Sequence, residues 1–135
     1  MRGNVINLVM GLLVAIVLGF SGCGGGNYTA TQSNQSTSVV GAWKTGTLTT
    51  TFASNGSFTS MDTVNGINVS GTYSTSGNQL SFTDAGGPSS CAAGQATGTY
   101  TFMLSSGGTT LALNKVSDNC TGRTTAIDGR NFTRQ

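Results

Sequence analysis

Carboxylates, histidines and cysteines decide much of what a chain can do chemically, and this sequence has few of them. It contains no histidine, and its carboxylate side chains are those of four aspartates: Asp62, Asp84, Asp118 and Asp128. A Ser-His-Asp relay, a histidine metal site and a glutamate general base are therefore impossible within this chain. An enzyme would need Asp, Tyr or Lys alone, so we expect a protein that is not an enzyme and holds no metal or cofactor.

The aspartates near the C-terminal end suggest calcium only weakly. Asp118-Asn119 and Asp128-Gly129 lack the ligand spacing of an EF-hand loop. We therefore expect Asp118 to be a loop residue that accepts hydrogen bonds from nearby backbone N–H groups. The basic residues are scattered rather than concentrated on one segment, and nucleic-acid binding is not expected.

The first of the three cysteines, Cys23, ends an apolar N-terminal stretch. Residues 1–4 form a short, positive start, and residues 5–20 are almost unbroken apolar sequence. A positive start, an apolar run and small residues before a processing point are typical of a secretory signal peptide. The alternatives are an uncleaved transmembrane anchor or a plain signal peptide. The run is at the short end for spanning about 30 Å of hydrocarbon, and no basic cluster follows it.

Phe20-Ser21-Gly22-Cys23 resembles the lipobox of bacterial lipoproteins, although Phe20 departs from the usual Leu. In that family the cysteine receives a thioether-linked diacylglycerol and becomes the first residue after cleavage. The resemblance implies that residues 1–22 are a lipoprotein signal peptide and that Cys23 anchors the protein in the bacterial cell envelope. An Asp after the cysteine favours inner-membrane retention in some Gram-negative bacteria. Gly24 stands there instead, which favours the outer membrane, on its periplasmic or surface face.

Residues 24–38 are rich in Gly, Asn, Ser and Thr and have no apolar periodicity. We expect residues 23–38 to comprise the lipidated cysteine and a flexible linker with a typical reach of about 20 Å. Such a spacer would hold a folded domain, residues 39–135, just off a membrane surface.

Cys91 and Cys120 lie on either side of a predicted hairpin tip near Ser106-Gly107. Cys91 is fifteen residues before Ser106, and Cys120 is fourteen after it. Ladder pairing outward from that tip would bring the two cysteines opposite one another. In an exported protein a disulfide is then natural, and closing this loop would contribute about 3–4 kcal/mol in the chain-entropy model. Two sulfurs without histidine make a poor zinc site.

The elements that position these residues are predicted to be strands. Gly71-Thr72-Tyr73 and Gly98-Thr99-Tyr100 each begin a strand that is followed by a Gly-containing turn and a Leu-containing strand. Period-two alternation of apolar residues predicts eight strands, with no sustained helical periodicity. Their predicted bounds are 40–44, 47–53, 57–62, 67–74, 79–84, 97–104, 109–116 and 123–133. A sandwich and a closed barrel both fit this pattern, and closure would remove the exposed edges.

Gly41-Ala42-Trp43, placed ahead of an eight-strand meander, resembles the lipocalin and wider calycin pattern. The resemblance implies that Trp43 closes one barrel end beneath an arginine from the last part of the chain. Arg123 and Arg134 are both candidates for that partner, by cation–π stacking. It also implies an all-β, eight-stranded antiparallel up-and-down meander closed as a small lipocalin-like barrel. The chain is shorter than typical secreted lipocalins and lacks their helix.

The order of Trp43, Phe52, Phe58, Gly71-Thr72-Tyr73 and Leu80-Ser81-Phe82 is similar to the lipocalin-like domains of small bacterial envelope lipoproteins. Two functions follow as hypotheses. One is a membrane-tethered binding module for a small apolar or amphipathic ligand, which predicts an apolar cavity open at one end. The other is a structural or protein-interaction lipoprotein with a solid barrel, no ligand and a protein partner that the sequence does not identify.

Overall fold

The computed structural model of the protein describes residues 38–135. The predicted signal peptide, Cys23 and the predicted linker up to residue 37 lie outside the described residues. The strands are β1 (Gly41–Thr45), β2 (Leu48–Phe52), β3 (Ser57–Asp62), β4 (Ile67–Ser76), β5 (Gln79–Gly86), β6 (Thr97–Ser105), β7 (Thr110–Ser117) and β8 (Arg130–Arg134). A 3₁₀ turn (Ser106–Gly108) joins β6 to β7, and helix α1 (Thr121–Ile127) lies between β7 and β8.

The eight strands form one closed barrel in which every strand pairs antiparallel with its neighbours in chain order. The circle closes where β1 pairs with β8, with Trp43 opposite Arg134 and Lys44 opposite Thr133. The prediction of an eight-stranded antiparallel up-and-down barrel is confirmed, and of the two arrangements that fitted the sequence, the barrel is the one formed.

Alternation along each strand explains why the sheet closes with one face inside. In β2, Leu48, Thr50 and Phe52 are buried while the residues between them are more exposed, and β5 buries Leu80 and Phe82 in the same way. This period of two places one set of side chains inside the barrel. Twelve buried apolar residues form one core: Val39, Trp43, Leu48, Phe52, Phe58, Leu80, Phe82, Tyr100, Leu111, Leu113, Ile127 and Phe132.

A β-bulge in β5 lies beside a glycine of β4. The β4–β5 register shifts between Ser70 and Gly71, where Ala85 is the extra residue on β5. A Cβ atom on Gly71 would lie 2.1 Å from the carbonyl oxygen of Thr83 and 2.8 Å from the Phe58 ring. No side chain fits in that space, so the two backbones approach this closely only because residue 71 is glycine.

The prediction of a strand over residues 123–133 is wrong in its first part. Residues Thr121–Ile127 form α1, and β8 begins only at Arg130. A helix of two turns gives too short a pattern for periodicity to reveal. Its stability comes from tertiary packing rather than from propensity, because Ile127 is buried in the core and Arg123 pairs with the barrel wall.

The antiparallel order gives the barrel two unlike ends. One end, called here the hairpin end, carries the β2–β3, β4–β5 and β6–β7 turns. The other, called the helix end, carries the β1–β2, β3–β4 and β5–β6 connections and α1. The core residues named above and both later cysteines lie within residues 38–135. A segment such as 32–135 therefore contains all eight strands, the helix and the disulfide.

Candidate functional site: a cavity inside the barrel

The hairpin end is sealed by Trp43 and Arg134. Trp43 is fully buried, and its indole Nε1 donates a hydrogen bond of 2.6 Å to the carbonyl oxygen of Val39. The guanidinium carbon of Arg134 lies 4.2 Å from the centre of the Trp43 ring, a cation–π arrangement. Arg134 also donates to the carbonyl oxygens of Val40 (2.7 Å) and Gly108 (2.8 Å). Arg134 is thus the arginine on Trp43, whereas Arg123 lies in α1 at the helix end.

Gly41 provides the space that this seal requires. A Cβ atom there would lie 2.7 Å from Arg134 Nη1, and the backbone of Gly41 has a φ of +129°, which side chains rarely tolerate. The Gly-x-Trp pattern seen in the sequence therefore has a local physical cause, since the glycine lets the arginine reach across to the tryptophan.

A cavity of about 460 Å³ occupies the barrel interior between the aromatic core and α1. Its wall is mostly apolar, with the polar groups confined to a few positions. Among the lining residues are Leu48, Phe52, Phe58, Ile67, Val69, Phe82, Leu111, Leu113, Ala126, Ile127 and Phe132 from the apolar set, and Thr50, Ser60, Asp84, Ser89 and Arg123 from the polar set. This volume lies within the range of about 300–1,000 Å³ that small-molecule sites occupy.

The cavity opens outward at the helix end. A more polar depression of about 410 Å³ shares Leu48, Ile67 and Ala126 with the cavity wall and is bordered also by Asp62 and Arg130. The shared residues place this outer depression between α1 and the β1–β2 and β3–β4 connections. The cavity's own lining residues Ser89, Thr121 and Thr125 are exposed at this same end of the barrel, so the cavity opens to solvent there.

Thr50 and Ser60 place a polar pair on the apolar wall. They lie opposite each other on β2 and β3, and both side chains are buried. Their hydroxyl oxygens are 2.8 Å apart and share one hydrogen bond, in which either oxygen can be the donor. The pair thus forms a buried polar point on a mostly apolar wall.

Arg123 holds α1 against the barrel through a buried ion cluster. Its Nε donates to Asp118 Oδ2 (2.6 Å), and its Nη1 donates to Asp84 Oδ1 (2.8 Å). The remaining N–H groups donate to Asp118 Oδ1 and to the carbonyl oxygens of Gln95 and Ala96. All five guanidinium donors are thus engaged, and the three charged side chains are at most 8% exposed.

Gly98 makes room for this cluster, just as Gly41 makes room for Arg134. A Cβ atom on Gly98 would lie 2.3 Å from Asp118 Oδ2 and 2.8 Å from Arg123 Nη2. Tyr100, two residues further on, donates its hydroxyl proton to the same Asp118 oxygen at 2.5 Å. Two residues of the same strand therefore accommodate the buried Asp118 carboxylate: Gly98 leaves space for it, and Tyr100 donates a hydrogen bond to it.

The Cys91–Cys120 disulfide, predicted from sequence, is present, with 5.8 Å between the two Cα atoms. It joins the β5–β6 connection to the residue that precedes α1. Both carboxylates of the ion cluster are tied to it, because Asp84 Oδ2 accepts the Cys91 N–H (2.9 Å) and Asp118 Oδ1 accepts the Cys120 N–H (2.8 Å). Asp118 thus makes the backbone contact expected of it, and more.

The protonation behaviour of the cluster follows from burial and hydrogen bonding. Burial works against the charge on Asp118, but hydrogen bonds from Arg123, Tyr100 and the Cys120 N–H outweigh it, and the pKa of Asp118 is lowered. Burial, together with the neighbouring Asp118 carboxylate, raises the pKa of Tyr100. Burial disfavours the charge on Arg123, yet its bonds to Asp118 and the nearby charge of Asp84 leave its pKa raised. Asp118 and Arg123 therefore both stay ionised.

Asp62 organises the rim of the outer depression. Its Oδ2 accepts hydrogen bonds from Thr47 Oγ1 (2.6 Å) and Asn65 Nδ2 (2.7 Å), and its Oδ1 accepts the backbone N–H groups of Val64 and Asn65. These bonds, with Thr47 and Asn65 contributing most, lower the pKa of Asp62 from 3.8 to about 2. The carboxylate ties the β3–β4 turn to the β1–β2 turn.

Within residues 38–135, no group of three or more acidic or cysteine side chains could hold a metal ion. The same part of the chain has no helix long and apolar enough to cross a membrane.

Comparison of the chain with protein-family models, with curated proteins and with solved structures found no match. The site is therefore described by its own geometry alone.

Sequence reasoning gave the cavity as the prediction of one of two hypotheses, and it missed the ion cluster. No local pattern in the sequence indicated a role for Asp84, because its partner Arg123 is 39 positions away along the chain. Asp118 and Arg123 lie five residues apart, which is a detectable pairing only once the intervening turn and helix are known.

Replacing Arg123 by methionine should strongly destabilise the barrel. The change leaves the buried carboxylates of Asp84 and Asp118 without their cation, and breaking a buried pair in this way costs about 3–5 kcal/mol. Urea unfolding at neutral pH measures the change. Arg130→Met is the matched control, since Arg130 is exposed and pairs with no carboxylate within residues 38–135; a change below about 0.5 kcal/mol is expected there. Equal stability of the two variants would contradict the role given to Arg123.

Acid should weaken the helix-end rim through Asp62. Its pKa is lower in the folded protein than the ordinary value of 3.8, so its stabilising contribution is complete above that value and is lost as the pH falls through about 2. Thr47→Val removes the largest of the lowering contributions. We expect it to raise the pKa of Asp62 toward 3.8 and to shift the acid loss of stability to higher pH, as followed by NMR titration of the carboxyl carbon. Thr59→Val, at an exposed position on β3, should leave the titration as it is in the wild type. An unchanged Asp62 titration in Thr47→Val would refute this assignment.

Proposed function

We propose that the chain is a membrane-anchored bacterial envelope lipoprotein whose lipocalin-like barrel binds a small apolar ligand without catalysing a reaction. The observation that carries the proposal is the apolar cavity of about 460 Å³ with an outlet at the helix end. A binding module predicts such a cavity, whereas a solid structural barrel predicts an interior filled by side chains. The cavity supports the first hypothesis over the second.

A non-catalytic role is supported by how the four aspartates are used. Asp62, Asp84 and Asp118 are each tied up by hydrogen bonds from surrounding side chains or backbone groups. Asp128 accepts the backbone N–H of Lys115 at 2.7 Å. Each carboxylate thus has a structural task, and the sequence contains neither histidine nor glutamate that could serve as a general base instead.

Anchorage is supported by the sequence of residues 1–23, which lie outside the described residues. A lipid on Cys23 would hold the barrel at the membrane, since each buried methylene of an acyl chain contributes about 0.8 kcal/mol. The residue after the cysteine, Gly24, favours the outer membrane under the lipoprotein resemblance. A tethered barrel of this kind would present its cavity to the space beside that membrane.

Lipidation is tested by the intact mass of the full chain made in a bacterium. The expected product lacks residues 1–22, carries the mass of acyl chains on Cys23 and sediments with the membranes. Cys23→Ala should abolish both the added mass and the sedimentation, because no thiol remains to be acylated. Ser21→Ala keeps a small residue at its position and should behave like the wild type. A wild-type chain without added lipid mass would refute the anchor.

Ligand binding is tested by native mass spectrometry of segment 32–135 purified from bacterial cells. We expect a fraction of molecules to carry an additional small mass that organic extraction removes. Val69→Phe places a ring in the cavity wall and should lower the loaded fraction, while Val116→Phe makes the same change on the outer face, where Val116 is 52% exposed.

Equal loading of the two valine variants would place the ligand outside the barrel. The absence of any bound mass, together with failure to bind added apolar molecules, would favour the solid-barrel alternative.

A further inference from the structure

The Thr50–Ser60 pair has one hydrogen-bond donor to spare. Two hydroxyls carry two O–H donors, and the bond between them uses only one. Within residues 38–135 neither hydroxyl makes a further side-chain hydrogen bond. Both groups line the cavity, so the second O–H is available to an acceptor that enters it.

The position of the pair fixes where that acceptor would lie. Along β2, Thr50 stands between Leu48, which also borders the outer depression, and Phe52, which contacts the Tyr73 and Phe82 rings at the aromatic core. Ser60 stands on β3 between Phe58 and Asp62 in the same manner. The hydroxyl pair therefore lies between the apolar part of the cavity, on the side of the aromatic core, and the cavity opening, on the side of the helix end.

The charges around the cavity disfavour an anionic group inside it. The charged residues on its wall are Asp84 and Arg123. All five donors of Arg123 are used by Asp84, Asp118 and backbone oxygens. With Asp118 included, the cluster has a net charge of −1 from two carboxylates and one guanidinium, and burial of an unpaired anion beside it is costly.

We infer that the barrel selects an uncharged apolar molecule carrying one hydrogen-bond acceptor, such as a ketone or ester carbonyl, which accepts the spare proton of the Thr50–Ser60 pair. This inference rests on the proposed binding function and adds the chemical class of the ligand. A carboxylate placed inside the cavity is excluded by it, because Arg123, the cation on the cavity wall, has all its donors engaged.

Three probes of one shape separate these properties. Benzylacetone carries a carbonyl, butylbenzene replaces that carbonyl by a methylene, and hydrocinnamate replaces the methyl ketone by a carboxylate. Dissociation constants for segment 32–135 are measured by NMR titration at neutral pH. Benzylacetone is expected to bind at least about tenfold more tightly than hydrocinnamate, because the anion loses its hydration without gaining a partner.

The double variant Thr50→Val/Ser60→Ala removes both hydroxyls and nearly preserves shape. It should weaken benzylacetone about five- to tenfold, the effect of leaving one buried carbonyl unpaired, and leave butylbenzene unchanged. For each probe, the dissociation constant of the variant is compared with that of the wild type, so the difference in hydrophobicity between benzylacetone and butylbenzene cancels. Ser81→Ala/Thr99→Val makes the same two changes at a hydroxyl pair 3.2 Å apart outside the cavity, and should affect neither probe.

The possible outcomes test the hydroxyl pair, the exclusion of anions and the binding function separately. Equal effects of the double variant on benzylacetone and butylbenzene, or none on either, would overturn the role of the hydroxyl pair. Hydrocinnamate binding as tightly as benzylacetone would overturn the exclusion of anions. Failure of all three probes to bind would count against the proposed function itself. Ser60→Ala alone leaves Thr50 with a free O–H, so benzylacetone should keep its affinity in that variant, and a loss of affinity there would oppose the inference.

Discussion

The barrel exists only if its first and last strands meet, and their seam has the least backbone pairing of any. Only Trp43 with Arg134 and Lys44 with Thr133 face each other there, whereas the other neighbouring strands pair over longer stretches. Side chains make up the difference, because Arg134 stacks on Trp43 and donates to backbone oxygens on both sides of the seam. Since an open sheet would expose two edges and lose its enclosed interior, the cavity depends on this one stacked pair.

Each end of the barrel is stabilised by a different arginine. Arg134 seals the hairpin end by lying across an aromatic ring and binding neutral carbonyl oxygens. Arg123 fixes the helix end by pairing with two carboxylates, one of which belongs to the barrel wall. The first arrangement fills space with a ring, and the second leaves space beneath a short helix. This difference explains why the cavity lies toward the helix end and opens there.

Much of this fold could be predicted from sequence because strands show a local alternation of apolar and polar residues. The positions of Leu48, Phe52, Leu80 and Phe82 were enough to place two strands and their inner faces. The helix α1 was missed because its stability depends on Ile127 meeting the core and Arg123 meeting a distant aspartate. The sequence left open whether the barrel is hollow or filled for a related reason. The volume of the cavity is what the side chains of all eight strands leave unfilled, and no local pattern reports that difference.

The two Gly-Thr-Tyr repeats both lie where the register between neighbouring strands shifts. The register shifts between Ser70 and Gly71 on β4 and between Thr99 and Tyr100 on β6. The extra residue of each bulge, Ala85 on β5 and Val116 on β7, thus lies on the strand beside a repeat. Bulges bend strands and allow a small barrel to curve to closure. The surroundings then give each copy its own partner: the Tyr73 hydroxyl donates to the carbonyl oxygen of Ala53, and the Tyr100 hydroxyl donates to Asp118. The second copy thereby contacts, through Tyr100, the ion cluster that holds the helix over the cavity.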